Sequence, residues 1–259
     1  MAKFDGYCSK YRCVKLERRE GILQMALHTG GGPLRWDMEA QAELARAFAD
    51  VGADRENRLV ILTGTGNEFS GPRVDPDAEF FHGAELTPAG VHDIHWNARR
   101  LMMSLLDIEV PMIGVVNGPA KRHAELALMC DIVIAADDAS FEDTAHFHLG
   151  SIVPGDGINI VYTMLMGLNR ARYLMLTGEV LSAKDAKDMG LVAELMPRDK
   201  LAPRSWELAR QLAKKSDTLL RCTRSVLTHP LRKLMEEGLD YFLTMEMMAT
   251  LEKPVGKAG

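Results

Sequence analysis

The segment from residue 112 to residue 136 constrains the fold of this chain more than any other part of its sequence. Residues 112–118 (MIGVVNG) and 131–136 (DIVIAA) are short apolar runs with the length and β-branched content of buried strands. Residues 124–129, which lie between them, have the composition of a short helix. A strand, a helix and a second strand in succession indicate parallel pairing in a βαβ-like unit, and hence an α/β fold.

The first half of the chain extends this alternation of strands and helices. Residues 12–18 and 22–28 predict a hairpin, and residues 58–63 (RLVILT) predict another buried strand. Helical spacing of apolar residues covers residues 37–51 and 93–108. These elements place more strands in the same sheet and helices against it.

The last hundred residues have a different character. From Gly157 onward nearly all of the chain has helical spacing, in amphipathic segments at 179–190, 201–215, 217–228 and 231–252. We therefore predict two regions, a core over residues 1–195 and a helical C-terminal region over residues 196–259.

Composition indicates a soluble globular protein. The chain has 259 residues, 47% of them hydrophobic and 26% charged, with a formal net charge of −5. A chain of this size can bury a large core. It has no basic surplus to neutralise a phosphate backbone, so we expect no nucleic-acid partner. No uncharged apolar run approaches 18 residues, and the N-terminus does not resemble a signal peptide, so we expect no membrane span and a cytoplasmic location.

Cysteine and histidine spacing gives no indication of a metal centre. The four cysteines contain no Cys-x-x-Cys pair, and four cysteines are few for a disulfide framework in a chain of this length. We expect reduced thiols. His82, His92 and His95 are close in sequence, but no carboxylate completes a recognisable ligand set around them. We therefore expect neither a metal nor an organic cofactor.

The loop that follows residues 112–118 is the first candidate for chemistry. Asn117-Gly118-Pro119 leads into a short helix that begins near His123. Unpaired peptide N–H groups at such a position can stabilise an oxyanion, and the His123 side chain can add another hydrogen bond. A plain connection between strand and helix, with His123 on the surface or as a cap, explains the same residues.

A second candidate lies in residues 141–157 (FEDTAHFHLGSIVPGDG). His146 and Asp156 are ten residues apart, across a loop rich in turn formers. A carboxylate that accepts a hydrogen bond from one imidazole nitrogen leaves the other nitrogen free to act as a base. Because no Gly-x-Ser-x-Gly motif is present, water is the better nucleophile. The alternatives are a surface histidine with an aspartate that only caps the next helix, or His148 as the base.

Two further residues stand out. Trp36 follows the glycine-rich stretch HTGGGPLR, where an indole can form a pocket wall and donate one hydrogen bond, or simply anchor the loop. Glu246 lies among three methionines in the last helix, where it faces either a site or solvent.

The order of these motifs resembles the crotonase (enoyl-CoA hydratase/isomerase) superfamily from about residue 14 to residue 252. The segments that carry the resemblance are VILTGTGNEFSG, IEVPMIGVVNGPAKRHAELALMCDIVIAADDASF and GSIVPGDG. The resemblance implies a core of repeated ββα turns in a spiral and a helical C-terminal region that assembles trimers, or hexamers built from two trimers. It also implies an oxyanion hole formed by the peptide N–H groups of Arg73 and His123.

Departures from the pattern of CoA-dependent members favour one branch of the superfamily. Gly71-Pro72-Arg73-Val74-Asp75 replaces their usual loop, and Arg122-His123 replaces their glycine pair. Glu125 matches one hydratase glutamate, but the second has no counterpart, which argues against CoA binding. The chain instead resembles the β-diketone hydrolases, the branch that includes 6-oxocamphor hydrolase.

That resemblance implies hydrolysis of a carbon–carbon bond in a cyclic β-diketone, a retro-Claisen reaction. Asp156 would orient His146, which activates water, while His123 and Trp36 hold the diketone oxygen and Glu246 supports them. A CoA-thioester hydratase or isomerase that uses Glu125 is the first alternative. A non-catalytic binding protein with the same fold is the second.

Overall fold

The computed structural model describes residues 3–72, 87–148 and 152–250. Its strands, in chain order, are β1 (Val14–Arg19), β2 (Ile22–Leu27), β3 (Leu59–Gly64), β4 (Met112–Val116), β5 (Ile132–Ala136), β6 (Ser140–Phe141), β7 (Leu181–Ser182) and β8 (Glu194–Met196). Its helices are α1 (Phe4–Tyr7), α2 (Met38–Ala53), α3 (Pro88–Leu106), α4 (Glu125–Leu128), α5 (Ile158–Met166), α6 (Leu168–Thr177), α7 (Ala183–Asp188), α8 (Arg198–Leu212) and α9 (Asp217–Thr250).

The main sheet has the strand order β1-β2-β3-β4-β5-β8. Strands β1 and β2 form an antiparallel hairpin, and each later neighbour pairs in parallel. The hairpin turn uses Glu20 and Gly21, both with positive φ (52° and 77°), which matches the twist of the two strands. Strands β3 and β4 are buried almost throughout, as parallel strands covered by helices are. The α/β prediction with parallel pairing is confirmed.

A second set of backbone contacts stacks four segments of the chain, three loops and strand β6, beside the main sheet. Parallel bridges join Arg35 to Gly71, Ser70 to Ala120 and Ala120 to Phe141. Gly118 lies where this stack is tightest, because an added Cβ would be 1.9 Å from the carbonyl oxygen of residue 67. The bridges fix the loops that carry the candidate residues at 36, 123 and 146 relative to one another.

Helices cover the sheet and close the core. Helix α2 begins with Asp37, whose side chain accepts a hydrogen bond from the peptide N–H of Ala40, as predicted for an N-cap. Helices α2 and α3 pack together, α8 packs against β3, β4 and β5, and α9 packs against α3 and α5. None of the described helices combines the length and the apolar composition that crossing a lipid bilayer requires.

The structure differs from the predicted elements in three places. Helix α3 begins at Pro88 and not at residue 93, because Thr87 caps it and proline fits the first helical position. Residues 194–196, in the part predicted to be almost wholly helical, form β8 at the edge of the sheet. The helices predicted at 217–228 and 231–252 are one helix, α9, which continues through Pro230. A proline removes one backbone hydrogen bond, and the packing of α9 against α3 and α5 maintains the helix across that break.

Candidate active site

Five of the residues singled out from the sequence are buried: Trp36, His123, His146, Asp156 and Glu246. Contacts and charge interactions connect them into one cluster between the stacked loops and α9. Arg73, predicted to supply one peptide N–H of an oxyanion hole, lies outside the described residues.

The backbone of the glycine-rich loop places Trp36. The peptide N–H of Trp36 donates to the carbonyl of Gly71 at 2.9 Å, and the N–H of Gly71 donates to the carbonyl of Leu34 at 2.9 Å. The indole is 2% exposed. Its Nε1–H has no acceptor among the described residues, which leaves a buried donor available to a bound ligand.

His123 has an unusual backbone and a short contact to its neighbour Glu125. Its φ is 50°, in the left-handed region that a residue other than glycine seldom adopts and that is enriched at functional sites. Its Nδ1 lies 2.5 Å from Glu125 Oε1, and its ring stacks on Trp36 with centroids 3.9 Å apart. The second carboxylate oxygen of Glu125 is buried without a partner among the described residues.

His146 lies between two carboxylates. Its Nδ1 is 2.8 Å from Asp143 Oδ1, a hydrogen-bond distance, and its Nε2 is 3.6 Å from Asp156 Oδ2. The carboxylate hydrogen-bonded to the ring is therefore Asp143, although the sequence analysis assigned that contact to Asp156. The reason is local: Asp143 is three residues before His146 in one turn, whereas Asp156 reaches the ring from a different loop.

Asp156 connects the two histidines and also caps a helix. Its Oδ1 accepts from the peptide N–H of Ile158 at 3.2 Å, while its Oδ2 lies 3.5 Å from His123 Nδ1 and 3.6 Å from His146 Nε2. Capping, raised from the sequence as the alternative to a site role, thus accompanies the contacts to both histidines. Gly155 allows this placement, since an added Cβ would be 2.3 Å from the carbonyl oxygen of Phe242 in α9.

Burial and neighbouring charges give these groups shifted pKa values. Burial lowers the pKa of His123 to about 4. For His146 burial acts in the same direction, but the Asp156 charge and the Asp143 hydrogen bond outweigh it and raise the pKa to about 9. Burial raises the pKa of Glu125 to about 7. At neutral pH His123 is therefore neutral and His146 is protonated, and the pKa of Glu125 lies near neutrality.

Glu246 reaches the cluster from α9. It is 6% exposed, and its Oε2 has no hydrogen-bond partner among the described residues. Burial and the charge of Asp156 raise the pKa of Glu246 to about 8, so its carboxyl is mostly protonated at neutral pH. A protonated carboxyl inside an apolar stretch of helix is a potential proton donor.

The other histidines raised as candidates lie elsewhere or outside the described residues. His82 is not among the described residues. His92 is exposed beside Asp93, and the His95 ring lies 3.8 Å from Asp240. His148, the second candidate for the base, is exposed next to Gly178.

Among the described residues, His123, Glu125 and Asp156 offer ligand atoms within 4.8 Å of one another. The distance of 2.5 Å between His123 Nδ1 and Glu125 Oε1 is that of a pair that shares a proton. Two tetrahedral ligands, each about 2.0 Å from a zinc ion, would be roughly 3.3 Å apart. The described geometry is therefore that of a hydrogen-bonded pair.

Sequence reasoning missed two charged members of the cluster. Asp143 was not singled out, because its spacing of three residues from His146 is too common in turns to indicate a contact. Arg122 is 7% exposed, and it interacts electrostatically with Asp143, Asp156, Glu125 and Glu246. Arginine keeps its charge when buried, so it balances part of the carboxylate charge there.

Comparison with known proteins gives two groups of relatives. The sequence profile described as enoyl-CoA hydratase/isomerase matches residues 17–253. A putative enoyl-CoA hydratase from Thermus thermophilus is 31% identical over 193 residues, which cover 73% of each chain. A probable peroxisomal enoyl-CoA hydratase from Arabidopsis thaliana is 30% identical over 206 residues, which cover 79% of this chain and 72% of the relative.

Solved structures add a different activity. ABDH, a β-diketone hydrolase from the cyanobacterium Anabaena sp. PCC 7120 bound to (S)-3-oxocyclohexyl acetic acid, is 38% identical to this chain. The match has a TM-score of 0.88 and covers 95% of this chain and 96% of ABDH. An enoyl-CoA hydratase/isomerase from Mycobacterium paratuberculosis shares the fold at 21% identity, with a TM-score of 0.84 over 93% of this chain and 95% of that one. The chain therefore belongs to the enoyl-CoA hydratase/isomerase family and has the crotonase fold that its sequence resembles.

Proposed function

We propose that this chain is an enzyme that hydrolyses a carbon–carbon bond in a cyclic β-diketone. The observation that carries the proposal is the buried His146, with a carboxylate at each ring nitrogen, in one cluster with His123 and Trp36. This arrangement combines a base for water with unused hydrogen-bond donors for a developing oxyanion. The similarity to ABDH supports β-diketones as the substrate class.

In the first step, neutral His146 takes a proton from water as the oxygen forms a bond to one ketone carbon. The product is a tetrahedral oxyanion and a protonated His146. His146 has a pKa of about 9, so its neutral form is scarce at neutral pH but is a strong base for an imidazole.

In the second step, the oxyanion collapses to a carboxylic acid and the bond to the carbon between the two carbonyls breaks. The electrons of that bond pass to the second carbonyl oxygen, which becomes an enolate. The proton taken from water is finally delivered to the central carbon. One negative charge thus moves between oxygens, and the site stabilises it throughout.

His123 and Trp36 are suited to hold the enolate oxygen. Neutral His123 can donate from Nε2 only if its Nδ1 accepts, so the proton in the short contact must then belong to Glu125. With a pKa of about 7, Glu125 supplies that proton at and below neutral pH. The buried indole N–H of Trp36 offers a second donor next to the imidazole.

The alternative activity is addition of water to a CoA thioester, with Glu125 as the catalytic carboxyl. Its support is that the curated relatives are named enoyl-CoA hydratases. In this chain, however, one oxygen of Glu125 is engaged by His123, and the second hydratase glutamate has no counterpart. The pair of carboxyls that would add water is therefore incomplete, which favours the hydrolase. A non-catalytic binding protein would not need His146, His123 and Trp36 to lie in one buried cluster.

We also propose that the chain assembles as a trimer or hexamer. Large apolar side chains are exposed on the helices of the C-terminal half, among them Met164, Leu168, Tyr173, Leu176, Val226, Leu227 and Tyr241. A groove of about 600 Å³ between α5, α6 and α9 adds to this surface. Light scattering should give three or six times the chain mass of 28.7 kDa, and a monomer would exclude the assembly.

The test of the activity is turnover of a non-enolisable bicyclic β-diketone by the wild type and two variants. His146→Ala removes the base, and Asp156→Asn removes the charge beside Nε2. Each should lower kcat by about 10²-fold or more. Glu236→Gln, an exposed substitution on α9, is the control and should leave kcat unchanged. Unchanged turnover in both site variants would remove the His146–Asp156 pair from the reaction.

A further inference from the structure

We infer that Asp143 is the positioning residue that holds the imidazole of His146 and thereby makes Nε2 the basic atom. The inference rests on the proposed function, because it names the residue that orients the proposed base. Asp143 lies in the segment that follows β6 and contacts the ring nitrogen opposite to the one that faces Asp156.

The two carboxylates beside His146 contact it differently. Asp143 Oδ1 is 2.8 Å from Nδ1, within hydrogen-bond range, whereas Asp156 Oδ2 is 3.6 Å from Nε2 and outside it. Only Asp143 therefore restrains the ring by a direct hydrogen bond. The contact fixes both the rotation of the imidazole and the nitrogen that carries its proton.

Asp143 is itself held rigidly. The same Oδ1 accepts from the peptide N–H groups of Ala145 at 3.1 Å and of His146 at 3.2 Å. Its side chain is 8% exposed, so water competes little for these bonds. A carboxylate fixed by two peptide groups of its own turn is a firm anchor for the ring that follows.

The consequence for the chemistry is a defined tautomer. When His146 is neutral, its proton is donated from Nδ1 to Asp143, and the lone pair lies on Nε2. Nε2 faces Asp156, which also lies near His123. Asp156 is then free to contact the attacking water or the substrate, and the orienting task belongs to Asp143.

Asp143→Ala tests this assignment, because alanine removes the oxygen that accepts from His146 Nδ1. Asp143→Asn is the conservative variant: it keeps an Oδ1 that can accept from the peptide N–H groups of Ala145 and His146 and from Nδ1, but it lacks the charge. Because the lost charge also makes neutral His146 more abundant, we compare the maximum of the pH–rate profile and not the rate at one pH. In Asp143→Ala that maximum of kcat should fall by about 10²- to 10⁴-fold, with KM changed by a few-fold at most, and Asp143→Asn should restore most of it. Glu142→Gln, the adjacent carboxylate that accepts from Ser140, is the matched control and should keep the wild-type kcat.

A second measurement tests the positioning role in the folded protein and needs no substrate. In protein labelled with ¹⁵N-histidine, the His146 signal, assigned by its loss in His146→Gln, should report the Nδ1–H tautomer in its neutral form. In Asp143→Ala the neutral ring should lose its preference for the Nδ1–H tautomer, and the pKa of His146 should fall by at least one unit. If His146 keeps its tautomer and its pKa in Asp143→Ala, or if kcat of that variant stays within a few-fold of the wild type, the assignment is overturned. If the wild type cleaves no β-diketone while the ¹⁵N signals change as expected, the positioning role stands and the proposed reaction fails.

Discussion

The indole of Trp36 stacks on the imidazole of His123, with ring centroids 3.9 Å apart and planes inclined by 36°. One residue comes from the glycine-rich loop before α2 and the other from the loop before α4, and the bridges at Gly71 and Ala120 hold the two loops in place. The stack therefore brings two hydrogen-bond donors together on rigid backbone. In the proposed reaction they hold the enolate oxygen between them.

Trp36→Phe should separate the contribution of the indole N–H from that of ring stacking on His123. Phenylalanine keeps an aromatic ring against His123 but has no N–H, so the enolate loses one hydrogen bond. We expect kcat/KM for a bicyclic β-diketone to fall by about 10- to 100-fold, the loss of a hydrogen bond to a charged group. Trp206→Phe, which breaks the bond from Nε1 to Gln24, is the matched control and should keep the wild-type kcat/KM. An equal loss in both variants would contradict the role of Trp36.

The pH–rate profile should reveal two ionisable groups with opposite requirements, one that must be deprotonated and one that must be protonated. The active form needs His146 neutral, although its pKa is about 9, and Glu125 protonated, although its pKa is about 7. The fraction in this form rises with pH below about 7, stays level to about 9 and falls above it. The profile of kcat/KM should follow the same shape. Asp143, Asp156 and Glu246 raise the pKa of His146, and Glu125 and His123 also interact electrostatically with its ring.

Glu125→Gln should alter this profile in a specific way. The glutamine amide can donate to His123 Nδ1 at every pH, so the requirement for a protonated Glu125 disappears. We expect kcat/KM to keep rising with pH to about 9 and then to level off. In a CoA-dependent hydratase the same substitution would remove a catalytic carboxyl and abolish turnover. Loss of β-diketone cleavage in Glu125→Gln at all pH values would therefore count against the assignment of Glu125 as a donor to His123.

Gly155→Ala should show how far the position of the loop that carries Asp156 depends on its contact with α9. The added Cβ would be 2.3 Å from the carbonyl oxygen of Phe242 and 2.9 Å from Glu246 Cβ. The backbone must shift to accommodate the added Cβ. We therefore expect the free energy of unfolding, measured by chemical denaturation, to fall by about 1–3 kcal/mol. We also expect reduced kcat, because Asp156 moves with its neighbour. Gly6→Ala, where an added Cβ meets open space, should change neither quantity by a comparable amount.

Glu246 should make the protein less stable at alkaline pH. Its folded pKa of about 8 lies above the ordinary 4.5, so the folded state keeps a proton that the unfolded chain releases. Below pH 4.5 both states hold the proton, and between about pH 4.5 and pH 8 the unfolded chain releases it while the folded state keeps it, so the free energy of unfolding falls as the pH rises through this range. Glu246→Gln should therefore show a shallower decline of the free energy of unfolding from pH 6 to pH 9. Parallel declines in the wild type and the variant would show that Glu246 is ionised in the folded protein.

Much of the fold follows from local signals. The apolar runs at residues 112–118 and 131–136 predicted parallel strands because strands covered on both faces have few polar positions. Strand β8 was missed because three residues give too little periodicity to distinguish a strand from a helix end. The continuity of α9 was missed because Pro230 is a strong local break, whereas packing against α3 and α5 is a tertiary effect that the sequence does not display.

The candidate site was predicted less completely than the fold. His123, His146 and Asp156 were singled out from motif order, and the structure brings them within hydrogen-bond or ion-pair range of shared partners. Asp143 was missed because an aspartate three residues from a histidine is common in turns. Which of two carboxylates contacts Nδ1 depends on the path of the loop in three dimensions. The left-handed backbone of His123 was also beyond prediction from residue type alone.

The decisive experiment for the proposed reaction is hydrolysis of a bicyclic β-diketone by the wild-type enzyme in H₂¹⁸O, with the product analysed by mass spectrometry. We expect a ring-opened keto acid in which one ¹⁸O atom has entered the new carboxyl group during cleavage. The same enzyme preparation should not hydrate an enoyl-CoA thioester. An intact β-diketone after prolonged incubation, together with rapid hydration of the thioester, would contradict the proposed function.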